Sequence, residues 1–543
     1  MNPQHPAGQV IREGVESFWA RMVRDHRLTG RLSYPAFLAR AAADRPEKPA
    51  LIHADRTHSY RELYAAIHGV ADALARDFGI TAGDRVALLL DNSDIYDIWY
   101  LAILAMGAMA VPLNTKLTAH EIEYILADAG VRLLIHEAVH AEVVAGLDAA
   151  LRKRLACFTL DREQPPSAPA DSSPAELLAG FMAMAPDVET PAAIYYTSGT
   201  TGKPKGVVHT HRSFIAAALQ APLAWEYADP ETINLATTPL FHIANHTVYL
   251  PTLAVGGTLV IDTFGTARAF ELIERHRVSQ FFAVPSMLLM MVQHPERDQH
   301  DTRSVRRVLF GAAPMPVSKL EAVQELFPKA VLLHGMGQTE CSGTTVTLPS
   351  DQAFAKAGSV GINIPGTEIR IVDDQDGELP PNSVGELVTR GPNVMSHYLN
   401  RAEATAETLR GGWLHTGDLG YRDEAGYVYL VDRKKDMIIR GGENIYSTEV
   451  ESVLYQLPEV AQAAVIGMPS ELFGEEVLAF LVLKEGCSCP SLDAIQAHCR
   501  SRLARFKIPV AIEFLDNMPQ TATGKIQKHE LKMLVKPSGR PTS

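Results

Sequence analysis

Hydrophobic residues in this chain fall in short unbroken runs, and that pattern predicts a protein built on buried sheets. Residues 85–90 (RVALLL) suit a strand covered on both faces, residues 93–106 have the length and apolar density of a packed helix, and 108–113 form a second apolar run. Further strand-like runs occupy 131–135, 257–261 and 280–284, the last two followed by helical stretches at 267–276 and 286–293. Such alternation implies parallel sheets covered by helices. From about Gly361 the texture changes. EIRIVD (368–373), GELVTR (385–390) and GYVYLVD (426–432), separated by DQDG, PPNS and DEAG, have the spacing of hairpins or a small barrel. After Asp436 a β/α pattern returns, with helical EVESVLYQ (449–456) and LDAIQAHCRSRL (492–503) around the strands AAVIGM (463–468) and EVLAFLVL (476–483). The expected fold class is α/β. A large N-terminal domain of parallel α/β sheets with a small β-barrel-like subdomain spans residues 1–434, and a small α+β C-terminal domain spans 435–543. The Pro/Ser-rich EQPPSAPADSSP (163–174) reads as a surface connector and the terminal GRPTS as frayed.

Two uncharged stretches, 98–115 and 232–261, invite a membrane reading. The first is broken by Gly107 and Pro112, and the second holds Pro239, His242, Asn245, His246 and Pro251, so neither is an apolar helix of the roughly 20 residues a bilayer requires. No transmembrane segment is expected. A formal net charge of −13 argues against nucleic acid or an anionic membrane as the main partner, while leaving small-molecule phosphates open. The five cysteines form no CxxC pair and no Cys/His cluster, so neither a disulfide framework nor structural zinc is indicated. A reducing cytoplasm is the expected location. The N-terminus lacks a basic region followed by an apolar run, which excludes an ordinary secretory signal and places the mature start at or near Met1.

The densest chemistry lies in TSGTTGKPKG (197–206), directly after the apolar run AAIYY. Gly199, Gly202 and Gly206 let the backbone fold tightly and present N–H donors, Thr197, Ser198, Thr200 and Thr201 add hydroxyls, and Lys203 and Lys205 add charge. That composition suits polyphosphate. The spacing is not that of a Walker loop, because only two residues separate Gly199 from Gly202-Lys203 and Pro204 follows. A plain Gly/Ser/Thr linker is the competing reading.

Four more segments decide between them: GQTE (337–340), HTGD (415–418), DRKKD (432–436) and PQTATGK (519–525). Their order and spacing resemble those of the adenylate-forming superfamily, and the whole set is similar to the acyl-CoA synthetases, or AMP-dependent acid:CoA ligases. The resemblance implies a ligase that activates a carboxylic acid as acyl-AMP, releases pyrophosphate, and then forms an acyl-CoA thioester and AMP. ATP and CoA are the implied co-substrates and Mg²⁺ the cofactor. It places Thr197, Ser198, Gly199, Thr200, Thr201 and Lys205 on the β- and γ-phosphates, Thr339 near the α-phosphate, and Glu340 on Mg²⁺, a hard cation suited to carboxylate and phosphate oxygens. Gly311, Ala312 and Ala313 match the segment lining adenine, beside Met336 and Gly337. The residue at 336 is usually aromatic, and Met336 gives up stacking area while keeping a polarisable contact. Asp418 matches the ribose-binding aspartate and Arg433 the arginine on ribose and phosphate. Lys525 matches the lysine that stabilises charge during adenylation. Lys435 matches the hinge about which a mobile C-terminal domain rotates between half-reactions, and Gly441, Gly442 and Glu443 match a turn shaping the pantetheine tunnel. Ile439 and Ser447 depart from the common pattern and receive no role.

His242, in PLFHIAN, stands where amino-acid-activating relatives carry an aspartate for the substrate ammonium, which argues against an amino-acid substrate. Residues 232–261 contain no Lys or Arg, which disfavours a malonate-like diacid. With Phe281, Phe282, Met287, Leu288, Met290 and Met291 nearby in motif order, an apolar acid is expected, whether fatty, alicyclic or aromatic. An acyl-AMP ligase loading a carrier-protein thiol is the alternative, and a P-loop-type ATPase a remote one. Homo-oligomerisation stays open.

Overall fold

In a computed structural model of the chain, the described residues are 31–161, 173–197, 203–227, 229–311, 315, 317–520 and 526–535. They divide into two compact units, one running up to Ile369 with Thr389–Leu414 added, the other Arg370–Val388 with the residues from His415 onward.

The first unit holds two sheets. Seven strands lie in the order His397–Tyr398, Lys205–Thr210, Pro191–Thr197, Met109–Pro112, Arg85–Leu89, Leu133–Glu137, Ala156–Leu160. From Pro191–Thr197 onward the pairings are parallel, and each of the first two strands pairs antiparallel with the next. A nine-stranded sheet has a parallel centre built from Val331–Gln338, Arg307–Gly311, Gln280–Ala283, Ile233–Ala236, Thr258–Ile261 and Pro49–His53, with antiparallel strands at both ends. The helix Asp94–Ala105 is buried along its whole length, as its nearly continuous apolar sequence requires. The helix Tyr60–Phe78 is sealed at both ends, by a Ser59/Glu62 capping box and by Gly79 in the left-handed region.

The expected elements appear at 85–89, 94–105, 258–261, 266–276, 280–283 and 285–292. The run at 131–135 becomes a strand at Leu133–Glu137. Gly130 closes the preceding helix, and the Val131 N–H still donates to Leu126 O, so extended pairing starts later.

In the second unit, a four-stranded sheet is followed by a five-stranded sheet in which Val460–Ser470 and Gly474–Leu483 form a long hairpin. The helices Ser447–Leu454 and Leu492–Arg500 bury Val450, Leu454, Ile495 and Cys499 in the core of this sheet. Among the described residues no helix is long and apolar enough to cross a membrane.

Candidate active site

The strand Pro191–Thr197 turns back into Lys205–Thr210, with Tyr196 opposite Gly206 and Thr197 opposite Lys205. The Gly/Thr decapeptide is thus a hairpin connection whose ends are fixed by strand pairing. Ser198, Gly199, Thr200 and Thr201 lie outside the described residues. The short strand His397–Tyr398 adds to the Lys205–Thr210 edge and brings Tyr398 under Lys205, whose Nζ stands 5.1 Å from the ring centroid. The Tyr398 hydroxyl donates to Glu340 Oε1 at 2.8 Å. Burial, and next the Glu340 charge, push the Tyr398 pKa well above its usual value, so the phenol stays protonated as a donor. Lys205, Tyr398 and Glu340 are thus in contact one after another.

Glu340 sits on the short turn Thr339–Cys341 between Val331–Gln338 and Gly343–Leu348. The Met395 N–H holds the Glu340 carbonyl at 2.8 Å. Thr339 is fixed by His209, whose Nε2 lies 2.7 Å from the Thr339 carbonyl and whose Nδ1 lies 3.0 Å from Ser342 Oγ. A carbonyl only accepts, so Nε2 carries the proton and Nδ1 accepts from Ser342. Burial lowers the His209 pKa to about 4, which keeps the ring neutral in this tautomer near pH 7. Sequence reasoning missed both His209 and Tyr398. A polar histidine inside the apolar VVHT strand was the only available signal for the first, and nothing in the spacing marked the second.

Gly311 ends its strand opposite Gly335, and a Cβ there would lie 2.3 Å from the Gly335 carbonyl oxygen. At Gly337 a Cβ would lie 1.5 Å from the Gly343 carbonyl oxygen, so only glycine lets the two strands approach. Met336 is buried beside them. Ala312 and Ala313 lie outside the described residues.

His242 is half-buried in the turn after Leu240. Its Nδ1 accepts from the Ala244 N–H at 3.3 Å. A single π-helical turn, Asn245–Tyr249, comes next, a form often found at functional sites. It places Asn245 Nδ2 at 2.9 Å from Asp97 Oδ1 and stacks His246 on Phe214 at a centroid distance of 3.6 Å. Of the apolar residues expected to line an acyl tail, Phe281, Leu288 and Met291 are buried in the core around the helix Thr266–His276, Met287 packs against that core, and Met290 is exposed.

In the second unit Asp418 and Arg433 stand opposite one another across two antiparallel strands, Arg433 Nε 3.1 Å from Asp418 Oδ1. Asp418 is buried and Arg433 exposed. Lys434 is committed to Asp374 at 2.8 Å and Glu386 at 3.3 Å, and Lys435 is exposed. Gly441 (φ 59°) and Gly442 (φ 89°) form the two-residue link between Ile438–Arg440 and Glu443–Ile445, as a type I′ turn requires. Lys525 lies outside the described residues.

Residues 38–399 match the family model described as AMP-binding enzyme, and residues 449–525 match the AMP-binding enzyme C-terminal domain. The chain belongs to the AMP-binding enzyme family. Among members of known name this AMP-binding enzyme is similar to the feruloyl-CoA synthase of Amycolatopsis sp, 37% identical over 502 residues that cover 92% of this chain and 98% of the relative. It is also similar to the long-chain-fatty-acid–CoA ligase FadD13 of Mycobacterium tuberculosis, 37% identical over 487 residues that cover 87% of this chain and 92% of the relative. The o-succinylbenzoate CoA synthetase of Bacillus subtilis, solved with its acyl-adenylate intermediate, superposes with a TM-score of 0.79 at 32% identity, covering 92% of this chain and 98% of that one.

Proposed function

We propose that this AMP-binding enzyme is an ATP-dependent acid:CoA ligase acting on apolar monocarboxylic acids. The observation that carries the reading is the contact series Lys205, Tyr398, Glu340 on the strand that follows the Gly/Thr segment and the elements beside it. In the first half-reaction the acid's carboxylate attacks the α-phosphorus of ATP and pyrophosphate leaves. That displacement needs alignment and charge neutralisation more than proton transfer. Lys205 and the loop hydroxyls from Thr197 to Thr201 hold the β- and γ-phosphates, and the neutral His209 keeps Thr339 in place for the α-phosphate.

Glu340 presents a carboxylate beside a phosphate loop, the donor set Mg²⁺ favours, since that ion takes one or two carboxylates together with substrate phosphates. Glu340 would hold the Mg²⁺, which when bound would supply charge neutralisation for the phosphates. Asp418 accepts from the ribose hydroxyls, Arg433 serves ribose and phosphate, and Lys525 stabilises the charge that develops during adenylation. In the second half-reaction the CoA thiol attacks the acyl carbonyl and AMP leaves. The five cysteines are free thiols, which supports a cytoplasmic location.

The substrate reading rests on charge. His242 occupies the position of an ammonium-binding aspartate, and the 232–261 wall carries no Lys or Arg. An α-amino acid or a short diacid would bury an unpaired charge at a cost of several kcal/mol, about 100-fold or more in kcat/KM. The test is pyrophosphate release across a panel of carboxylic acids, with and without CoA, in which a fatty or aromatic acid competes against a matched α-amino acid and a malonate-like diacid. Preference for either charged class would overturn the substrate reading. ADP as the nucleotide product would overturn the ligase itself.

A further inference from the structure

A hollow of about 630 Å³ opens in the first unit at the other end of the nine-stranded sheet from Gly311 and Gly337. Its lining residues Ile233, Ser279, Arg307 and Lys329 stand at or just before the starts of the parallel strands, whereas Gly311 and Gly337 lie at strand ends. Ligands of open α/β sheets ordinarily bind at the carboxyl ends of the strands, so this hollow is separate from the site described above.

Its charge is unusual for a chain of net charge −13. Arg275, Arg277, Arg303, Arg306, Arg307 and Lys329 line it against only Asp229 and Glu231. Glu231 is already engaged by Arg45 at 2.7 Å, from outside the hollow. Arg303 is spent on Asp301 at 2.8 and 2.9 Å, Arg275 lies 3.7 Å from Asp55, and Arg307 Nε donates to the Glu226 carbonyl at 2.8 Å. The side chains of Arg306 and Lys329 have neither a hydrogen bond nor an ion pair among the described residues, and both are exposed.

Thr232 is 2% exposed and lines the hollow, yet its Oγ1 has no hydrogen-bond partner, and neither has the buried Oγ of Ser304. Orphaned buried hydroxyls are costly and are usually retained where something else satisfies them. A structural role explains Arg275 and Arg277, which sit at the C-terminal end of the helix Thr266–His276 and complement its dipole. Ion pairing with Asp301 and a hydrogen bond to the Glu226 carbonyl account for Arg303 and Arg307, but no structural role explains Arg306 and Lys329, which come from other connections.

We propose that this hollow binds a phosphate ester or diphosphate carrying at least two negative charges. Guanidinium forks match phosphate oxygens in geometry and charge, and the exposed Lys329 ammonium adds a further cation. The volume exceeds what a bare phosphate fills and falls in the range of small-molecule sites, so it has room for an attached organic group. The phosphate is carried either by a soluble molecule or by a lipid headgroup.

The test uses the full chain and the double variant Arg306→Glu/Lys329→Glu, with Arg306→Ala/Lys329→Ala as a milder partner. One arm titrates inorganic pyrophosphate by calorimetry. The wild type should show a site beyond the catalytic one, and the reversed variant should lose it by about 100-fold or more in affinity, since each charged hydrogen bond contributes ~1.5–3 kcal/mol. The other arm measures cosedimentation with vesicles of phosphatidylcholine alone or mixed with phosphatidic acid. Acyl-AMP formation and thermal stability should match wild type in both variants. Loss in the pyrophosphate arm alone assigns a soluble phosphate, and loss of binding to the acidic vesicles assigns a lipid headgroup. If the variants match wild type in both arms, the proposal is wrong.

Discussion

Replacing Asp97 by Asn isolates one buried charge whose cost depends on pH. Asp97 is fully buried in the helix Asp94–Ala105, with Oδ1 accepting from Asn245 and Oδ2 without a partner. Burial, offset in part by the Asn245 hydrogen bond and reinforced by the Asp94 charge, raises its pKa from 3.8 to about 7. One turn away Asp94 behaves oppositely. Burial opposes its charge, but the hydrogen bonds from His58 (2.7 Å) and Arg56 (2.9 and 2.5 Å) outweigh that and hold its pKa below the usual range. A folded-state pKa above the unfolded one means that the native state binds the proton more tightly. The associated stability is complete below about pH 4 and is lost as pH rises through 7. Between pH 5 and pH 8 the loss comes to roughly 2–3 kcal/mol. Asn at this position keeps an acceptor for Asn245 and cannot ionise. Three buried histidines run the other way: His209, His211 and His246 have lowered pKa values through burial and cost stability as pH falls through the usual histidine range. The wild-type profile alone therefore does not report Asp97, and the difference between wild type and Asp97→Asn cancels the histidines. Chemical denaturation of both proteins from pH 5 to pH 8 should show the variant gaining on wild type across the range. A difference that stays constant with pH would refute the assignment of a buried, proton-binding Asp97.

Glu340→Gln keeps an acceptor for the Tyr398 hydroxyl and removes the charge, so pyrophosphate release should fall by about 100-fold with little change in thermal stability. Gly337→Ala forces a Cβ into a space 1.5 Å from the Gly343 carbonyl oxygen, and should cost ~1–3 kcal/mol or more of stability and weaken AMP binding, read by calorimetry. Lys525→Ala should lose acyl-AMP formation by about 100-fold or more while retaining thioester formation from supplied acyl-AMP. Gly442→Val, at a φ of 89° that disfavours branched side chains, should show the reverse pattern in the same two assays.

The strands at 85–89, 258–261 and 280–283 were legible because parallel strands buried on both faces leave continuous apolar runs. The Asp418, Arg433 and 441–442 segments, by contrast, stood out only through their resemblance to family motifs. What stayed hidden depends on register between distant segments. Tyr398 meets Glu340 across 58 residues, and His209 meets Thr339 across 130, and no local periodicity encodes either pairing. The proposed acyl wall shows the same limit from the other side. Its lack of Lys and Arg is a sequence fact, but the apolar residues expected to line it turn out to include core members such as Phe281, Leu288 and Met291. Asn245 and His246 of the segment are fully buried as well, Asn245 bonded to Asp97 and His246 stacked on Phe214, while His242 is half-buried. The proposed preference for uncharged acids therefore rests on the absence of Lys and Arg from residues 232–261. A second carboxylate or an ammonium on the substrate would there lack a partner, which is what the competition among acids tests.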